Sequence, residues 1–291
     1  MGASRGIKVV RRGPVILIQQ GERRMAVNSR HFIYAPDLVA DFEAFYGAVE
    51  PESSPEGRLV DYSSPRWHRL KRSGKRVFLT SFSEGESVND VYLRYGDVKR
   101  GDVVFDLGAN CGLAALDLAF KLGQEGLAIS LEPDPSNFDA LLKNVKEHSL
   151  DNVRPLNIGV WSTTGKIWFD ADGSMGALAV TEEGQPMRSE RTEIPVISLT
   201  DLATRFALSR VDFVKMDIEG SEFEVVPKCG DFVDHFRARW VIEVHDRKRM
   251  SELTGVFEAK GYSTRVVSQN ETHAYPLLVA KPVAEQKEGQ R

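Results

Sequence analysis

The segment from Val103 to Leu113 constrains the fold of this chain more than any other. It reads Val-Val-Phe-Asp-Leu-Gly-Ala-Asn-Cys-Gly-Leu, an apolar run that ends in a carboxylate and a loop of small residues. Apolar residues continue beyond it at helical spacing, which predicts a strand, a tight turn and a helix. In parallel α/β sheets such a loop lies at the ligand-binding edge.

The chemistry of this loop favours a nucleoside that carries no phosphate. A dinucleotide site reads G-x-G-x-x-G and turns bare amides onto a pyrophosphate, whereas here Asn110 stands between Gly108 and Gly112. Asn tolerates positive φ, so the tight turn remains available. Asp106 would repel a phosphate but can accept hydrogen bonds, which suits a cationic cofactor such as S-adenosylmethionine. On the loop alone, an ordinary glycine-rich turn remains the alternative.

A second acid supports the nucleoside site. Glu132 follows the apolar run 128–131, close to the spacing at which an acid beyond the glycine loop accepts ribose hydroxyls. Asp134 is placed to cap the next helix, with Pro135 at its first position. We expect the buried face of that helix to contain Phe138, Leu141, Leu142 and Val145.

From Gly101 onward, predicted strands and helices alternate, which indicates a parallel sheet covered by helices. Beyond the first two strands, we expect strands at Val153–Ile158, Phe213–Asp217, Trp240–Val244, Tyr262–Val267 and His273–Val279. We expect helices at Leu113–Leu122, Leu199–Phe206 and Met250–Lys260, and a short one that a Ser221/Glu224 capping box begins and Gly230 ends. Pro276 predicts a bulge or a locally unpaired position. Residues 159–197 read as a β-rich insertion.

The chain divides near residue 95, into a β-rich appendage (1–95), a main domain (96–282) and a polar tail (283–291). In the appendage we expect strands at Ile7–Gln19, Arg24–Ala35, Arg58–Tyr62, His68–Ser73 and Lys75–Thr80, a helical turn or two within Leu38–Phe45, and a loop at Pro51–Gly57. The appendage either covers the mouth of the ligand site or serves oligomerisation or partner binding, and the sequence leaves both open.

Composition excludes several classes of protein. The net charge of −4 does not support general nucleic-acid binding, and no apolar run approaches the length of a membrane span. The N-terminus has no signal-peptide core. Cys111 and Cys229 are far apart and lack metal-site spacing, so we expect a reduced, cytoplasmic protein.

Four segments occur in an order that resembles the FkbM family of S-adenosylmethionine-dependent methyltransferases. They are Gly101-Asp-Val-Val-Phe-Asp-Leu-Gly-Ala-Asn-Cys-Gly112, Glu132-Pro-Asp-Pro-Ser-Asn-Phe138, Val214-Lys-Met-Asp-Ile-Glu-Gly-Ser-Glu222 and Val241-Ile-Glu-Val-His245. The resemblance covers about residues 90 to 282. It implies a class I, Rossmann-like methyltransferase fold with a seven-stranded, mostly parallel sheet, and methyl transfer to a hydroxyl oxygen. The segments also make Pro133 a candidate cofactor contact beside Asp106, Gly108, Asn110, Gly112 and Glu132.

Acids at four strand ends form the predicted catalytic edge of the sheet. Asp106, Glu132, Asp217 and Glu243 all fall there. His245 shares the strand parity of Glu243, which places an acid and a base on one face. Burying an unpaired Glu243 would cost several kcal/mol, so a partner is required.

Two mechanisms can use Asp217, Glu243 and His245. In the first, His245 or Asp217 removes the proton of the acceptor hydroxyl. In the second, the three residues share a divalent cation that polarises the hydroxyl. We favour the first and expect no metal, because the spacing is not that of a tight ligand set. A buried Glu243–His245 pair that only braces the sheet is the structural alternative.

The expected acceptor is a hydroxyl on a small molecule, glycan or natural product, and a homo-oligomer is possible. A non-catalytic S-adenosylmethionine-binding scaffold in a biosynthetic assembly is the alternative function. The acids at the fourth and fifth strand ends argue against it, because binding alone would not need them. NAD-linked oxidoreduction is disfavoured by the missing G-x-G-x-x-G.

Overall fold

The computed structural model describes residues 6–171, 173, 178–179, 191–269 and 275–283. The N-terminal region contains strands β1 (Ile7–Arg12), β2 (Val15–Gln20), β3 (Arg23–Asn28), β4 (Glu52–Ser54), β5 (Gly57–Tyr62), β6 (Arg66–Arg69) and β7 (Arg76–Leu79). The first five form one sheet in the order β1-β2-β3-β5-β4, and β6 pairs with β7 as a hairpin. A 3-10 helix (Ser29–Tyr34) and the helices α1 (Ala35–Ala40) and α2 (Phe42–Gly47) connect β3 to β4.

Several predictions for this region were wrong. The single strand expected at Ile7–Gln19 is two antiparallel strands, β1 and β2, because the chain turns at Gly13, which has positive φ. The strand expected at His68–Ser73 ends at Arg69. The strand expected at Arg24–Ala35 ends at Asn28, because the Asn28 side chain accepts a hydrogen bond from the Arg30 N–H and caps the 3-10 helix. Part of the expected loop Pro51–Gly57 is the strand β4, which pairs with β5. Its residues are polar because they lie at the edge of the sheet, where a buried face is not needed.

The central sheet has seven strands in the order β10-β9-β8-β15-β16-β18-β17. They are β8 (Val103–Leu107), β9 (Leu127–Leu131), β10 (Val153–Leu156), β15 (Phe213–Met216), β16 (Arg239–Glu243), β17 (Tyr262–Ser268) and β18 (Pro276–Pro282). The first five strands in that order are parallel, and β18 runs antiparallel to both β16 and β17. This arrangement confirms the predicted class I, Rossmann-like sheet.

The insertion forms a smaller sheet of its own. Its described strands are β11 (Gly159–Val160), β12 (Gly165–Asp170), β13 (Leu178–Ala179) and β14 (Arg191–Ile197), in the order β11-β14-β12-β13. At the other end of the chain, the predicted bulge at Pro276 was wrong. The β17–β18 register is unbroken from Tyr262–Pro282 to Ser268–Pro276, and proline is tolerated there because it is the first residue of β18. Residues 270–274, which include the predicted start of this strand at His273, lie outside the described residues.

Helices cover the central sheet. They are α3 (Ser87–Gly96), α4 (Leu113–Leu122), α5 (Pro135–Glu147), α6 (Leu199–Arg205), α7 (Glu222–Val225), α8 (Gly230–Phe236) and α9 (Met250–Ala259), with 3-10 helices at Val226–Lys228 and Arg247–Arg249. Asp134 caps α5 as predicted, since its carboxylate accepts from the N–H groups of Ser136 and Asn137. On the same helix Leu142 is 41% exposed, so its predicted burial was wrong.

The short helix after the fourth parallel strand differs from its prediction. The Ser221 side chain makes no capping hydrogen bond, because Ser221 itself has helical backbone angles rather than the extended ones of a cap. Gly230 begins α8 instead of ending the preceding helix. None of the helices among the described residues is long and apolar enough to cross a membrane.

The N-terminal region shares its core with the main domain. Residues of β2, β3 and α2 belong to the same buried cluster as residues of α4 and α5. Asn144 of α5 bonds both backbone groups of Phe78 in β7, and Asn137 accepts from the Thr80 hydroxyl. Because α3 crosses residue 95 and packs on β15 and β16, we propose that the boundary between the two regions lies before α3.

Candidate active site

The glycine loop after β8 requires its glycines for steric reasons. Gly108 has φ +76°, and a Cβ there would lie 1.7 Å from the carbonyl oxygen of Asp217. Gly112 has φ +86°, and a Cβ there would lie 2.4 Å from Cδ1 of Leu141. Asn110 adopts φ +50°, the left-handed conformation that we expected Asn to tolerate here. The loop is therefore pressed between the end of β15 and the helix α5.

Glu132 holds the glycine loop to the end of β9. Its Oε2 accepts from the Asn110 N–H at 2.7 Å and its Oε1 from the Asp134 N–H at 2.9 Å. Burial raises the pKa of Glu132 to about 8, although the two backbone hydrogen bonds oppose that rise. Glu132 and Pro133 both line the cavity described below. A contact between Glu132 and ribose hydroxyls stays a prediction.

Beneath the loop lies a buried ion pair that the sequence analysis missed. Lys215 Nζ lies 3.4 Å from Asp106 Oδ1 and donates to the carbonyl oxygen of Gly108 at 2.7 Å. Asp106 is fully buried, and its second oxygen accepts from the Ser130 hydroxyl at 3.0 Å. Burial lowers the pKa of Lys215, but the charges of Asp106 and Asp217 outweigh it, so the net shift is upward. Asp106 thus holds Lys215, and Lys215 holds the loop.

A lysine in the strand Phe213–Met216 could have been noticed from the sequence. A charged residue within an otherwise apolar parallel strand requires a partner of opposite charge. The acid at the same level of the neighbouring strand is Asp106, which is paired with Lys215 in the register of β8 and β15.

A cavity of about 1240 Å³, including its open mouth, lies above the carboxyl ends of the central strands. The glycine loop, the β9 end and the start of α4 form one side of it, and the insertion contributes residues of β11, β12 and β14. The chain just before and within α3 adds Ser83, Gly85, Asn89 and Tyr92. Among the described residues that line the cavity, five are acidic and one is a lysine, so the cavity favours a cation over a phosphate.

Asp217, Glu219 and Glu243, which line this cavity, meet around His245. His245 Nε2 lies 3.8 Å from Asp217 Oδ1, 3.6 Å from Glu219 Oε2 and 3.8 Å from Glu243 Oε1. The structure therefore brings together all three residues predicted to be catalytic and adds Glu219. The Glu219 backbone is left-handed, with φ +51°, a conformation that is strained for a residue with a side chain.

Glu243 is 8% exposed and is held by two side chains that the sequence analysis did not single out. Its Oε2 accepts from the Tyr92 hydroxyl at 2.8 Å and from Gln269 Nε2 at 2.7 Å. Burial and the nearby charge of Asp217 raise the pKa of Glu243 to about 7. Tyr92 and Gln269 are 151 and 26 residues away in sequence, which is why no local pattern indicated them.

His245 is oriented by a fully buried carboxylate. The Oε1 atom of Glu222 accepts from the His245 backbone N–H at 2.8 Å and lies 3.2 Å from Nδ1. Burial lowers the pKa of His245. The bond to Glu222 and the charges of Glu219, Glu222 and Asp217 raise it by more than burial lowers it, so the pKa is about 10. A proton held this firmly makes His245 a poor general base at neutral pH. The geometry thus disfavours the base role that the sequence suggested for His245.

Cys111 lies in the glycine loop and lines the cavity. Burial raises the pKa of its thiol to about 12, so the reactive thiolate form is disfavoured at neutral pH. Cys111 is therefore suited to pack beside a ligand and not to act as a nucleophile.

A family model described as the methyltransferase FkbM domain matches residues 106–264 of the chain. The hexuronic acid methyltransferase AglP of Haloferax volcanii is 26% identical, over 60% of this chain and 69% of that protein. The 31-O-demethyl-FK506 methyltransferase FkbM of Streptomyces tacrolimicus is also 26% identical, over 59% of this chain and 77% of that protein.

Solved structures with a similar course of the chain include a methyltransferase FkbM from Methylobacillus flagellatus. It is 14% identical, with a TM-score of 0.47, over 84% of this chain and 60% of that one. The fibrillarin of Aeropyrum pernix, solved with S-adenosyl-L-methionine, is 12% identical with a TM-score of 0.45, over 94% of this chain and 98% of that one.

Proposed function

The chain belongs to the FkbM methyltransferase family, and from this premise we propose that it methylates a hydroxyl oxygen of a sugar or natural product. Its cofactor is S-adenosylmethionine. The observation that carries the proposal is the position of Asp217 and Glu243. They border the same cavity as the glycine loop and Glu132, so a cofactor and an acceptor can lie side by side.

The residues of the cavity fit this cofactor. Five acidic side chains suit a sulfonium cation, and the absence of an arginine among the described lining residues does not favour a pyrophosphate. We propose that the backbone of the glycine loop, with Asn110, and the Glu132–Pro133 turn hold the nucleoside. When bound, the cofactor supplies a methyl group on a positively charged sulfur.

In the proposed mechanism, the carboxylates at the ends of β15 and β16 handle the acceptor hydroxyl. Asp217 is 29% exposed towards the cavity and accepts the hydroxyl proton. Glu243 is fixed by Tyr92 and Gln269 and positions the oxygen beside it. His245 lies among the carboxylates of Asp217, Glu219 and Glu243 and holds them in place. Enclosure by the insertion, through residues such as Trp161 and Phe169 that line the cavity, excludes water from the reacting atoms.

The choice of acceptor is supported by the relatives. One is named for a hexuronic acid and another for a demethylated FK506. The prefix 31-O-demethyl names an oxygen as the position that lacks the methyl group. A hexuronic acid offers a carboxylate as well as hydroxyls, so treating the methylated product with alkali must show which of the two groups carries the methyl group. An ether survives alkali, whereas a methyl ester is hydrolysed.

The test uses labelled S-adenosylmethionine with a panel of hexuronates and hydroxylated natural products. We expect Asp217→Asn and Glu243→Gln to bind the cofactor within a few-fold of the parent, measured by calorimetry, while turnover falls about 100-fold or more. Glu252→Gln, at an exposed ion pair with Arg249, is the matched control and should keep full turnover. Full turnover by Glu243→Gln would remove Glu243 from the chemistry. Cofactor binding without transfer to any acceptor would favour the scaffold alternative.

A further inference from the structure

Beside the acidic lining residues Asp217, Glu219 and Glu243 lies a histidine nitrogen that has no hydrogen-bond partner in the described part of the chain. The His245 side chain is 9% exposed, and its Nε2 has no hydrogen-bond partner among the described residues. The three nearest carboxylate oxygens lie at 3.6–3.8 Å, too far for hydrogen bonds. A buried ring nitrogen that faces three acids without bonding any of them indicates room for something between them.

We propose that Asp217, Glu243 and His245 bind a divalent cation such as Mg²⁺ or Mn²⁺. One ligand atom from each of the three lies within 4.8 Å of the others. Ligands at about 2.1 Å from an octahedral cation are about 3.0 Å apart when adjacent and about 4.2 Å apart when opposite. The 3.8 Å separations from Nε2 to Asp217 Oδ1 and to Glu243 Oε1 fall between these values, so small side-chain movements would complete the site.

The surroundings of His245 are those of a metal-binding histidine. Such a histidine commonly donates its other ring N–H to a carboxylate, which fixes the tautomer and aims the free nitrogen at the metal. Glu222 provides that carboxylate, at 3.2 Å from Nδ1, and also accepts from the His245 backbone N–H. Glu222 is fully buried and in addition accepts from the Gly220 N–H. It is therefore a rigid support for the imidazole.

Charge supports the same conclusion. Asp217, Glu219, Glu222 and Glu243 surround one imidazole. Lys215 Nζ lies 3.9 Å from Asp217 Oδ2 but also pairs with Asp106, so five carboxylates share at most two positive charges. A divalent cation that replaces the ring proton would neutralise one more charge. The strained backbone of Glu219, which brings its carboxylate to this point, gives the cation a fourth oxygen nearby.

The catalytic role of the cation rests on the proposed function, whereas the binding site for the cation does not depend on that function. Carboxylates are weak bases toward an alcohol. A cation that binds the acceptor oxygen lowers the pKa of the hydroxyl, so a carboxylate then suffices. One oxygen of Asp217 can bind the cation while the other accepts the proton. Asp217 and Glu243 line the cavity, so a cation held by them would lie within reach of a bound acceptor.

Binding of Mn²⁺ to the full chain, after dialysis against a chelator, tests the site without an acceptor. We expect electron paramagnetic resonance to show one tightly bound Mn²⁺ per chain and nitrogen modulation from an imidazole ligand. His245→Gln should abolish that modulation, and Asp217→Asn and Glu243→Gln should each weaken Mn²⁺ binding at least 10-fold. Glu222→Gln should weaken it about 10-fold through the orientation of His245. Glu252→Gln is the control and should bind as the parent does.

Calorimetry with S-adenosylhomocysteine shows whether each variant is folded and separates the two proposals. Nucleoside binding without Mn²⁺ binding, or Mn²⁺ binding that His245→Gln leaves unchanged, overturns the cation site and leaves the methyltransferase proposal intact. Mn²⁺ binding with imidazole modulation in a chain that binds no nucleoside supports the cation site and overturns the proposed function.

Discussion

Replacing Lys215 by methionine tests whether the ion pair beneath the glycine loop supports the fold. Asp106 is fully buried and the Lys215 side chain is 6% exposed, so solvent does not screen their interaction as it does at the surface. Without the ammonium group, Asp106 is left as a buried charge with no cation, which costs about 3–5 kcal/mol. That cost includes the lost hydrogen bond to the Gly108 carbonyl.

Urea unfolding followed by circular dichroism measures the loss directly. Lys215→Met should lower the free energy of unfolding by about 3–5 kcal/mol. Adding Asp106→Asn should restore about 2 kcal/mol or more, because the uncompensated charge is removed while the acceptor for Ser130 remains. Lys228→Met removes an exposed lysine that is paired with Glu224, and should change stability by less than about 0.5 kcal/mol. If the losses of Lys215→Met and Asp106→Asn simply add in the double variant, the ion pair does not have the role assigned to it.

Three further outcomes follow from single residues. Gly108→Ala places a Cβ 1.7 Å from the Asp217 carbonyl oxygen and should weaken S-adenosylmethionine binding at least 10-fold in calorimetry. Gly165→Ala, with nothing within 4 Å, should leave binding unchanged. Asn144→Ala leaves the buried backbone partners of Asn144 at Phe78 and Cys111 unpaired, and should cost about 3 kcal/mol in urea unfolding. Burial lowers the pKa of His68 to about 4, so the folded state binds fewer protons than the unfolded state between pH 4 and 6.5. Stability should therefore fall as pH drops through that window, and thermal melts of His68→Phe should show a flatter pH dependence.

The parallel core of the fold could be predicted because its signals are local. The strand–loop–helix unit at Val103–Leu122 and the capped start of α5 are each contained within about 20 residues, and both are present as expected. The errors occur where one residue type serves two purposes. Glycine is common at both ends of helices, and the sequence alone could not show that Gly230 begins α8. Proline disfavours a strand interior but not a first position, which is where Pro276 lies.

The proposed cofactor contacts and the proposed acceptor contacts also differ in how far apart their residues lie in the sequence. This difference decides which of them the sequence could reveal. The proposed cofactor site is built by short-range bonds, such as those of Glu132 to Asn110 and Asp134, within one strand–helix–strand unit. The proposed acceptor site is assembled from α3, the ends of β15 and β16, and the residue that follows β17, so Tyr92 and Gln269 meet at Glu243 only in the folded state. A cofactor that a whole family shares can be bound by residues that lie close together in the sequence. An acceptor that differs between relatives is bound by side chains from distant segments of the chain. Substitutions at Tyr92 and Gln269 should therefore change turnover and acceptor preference while cofactor affinity stays near that of the parent, and equal losses of both would show that the two sites are not independent.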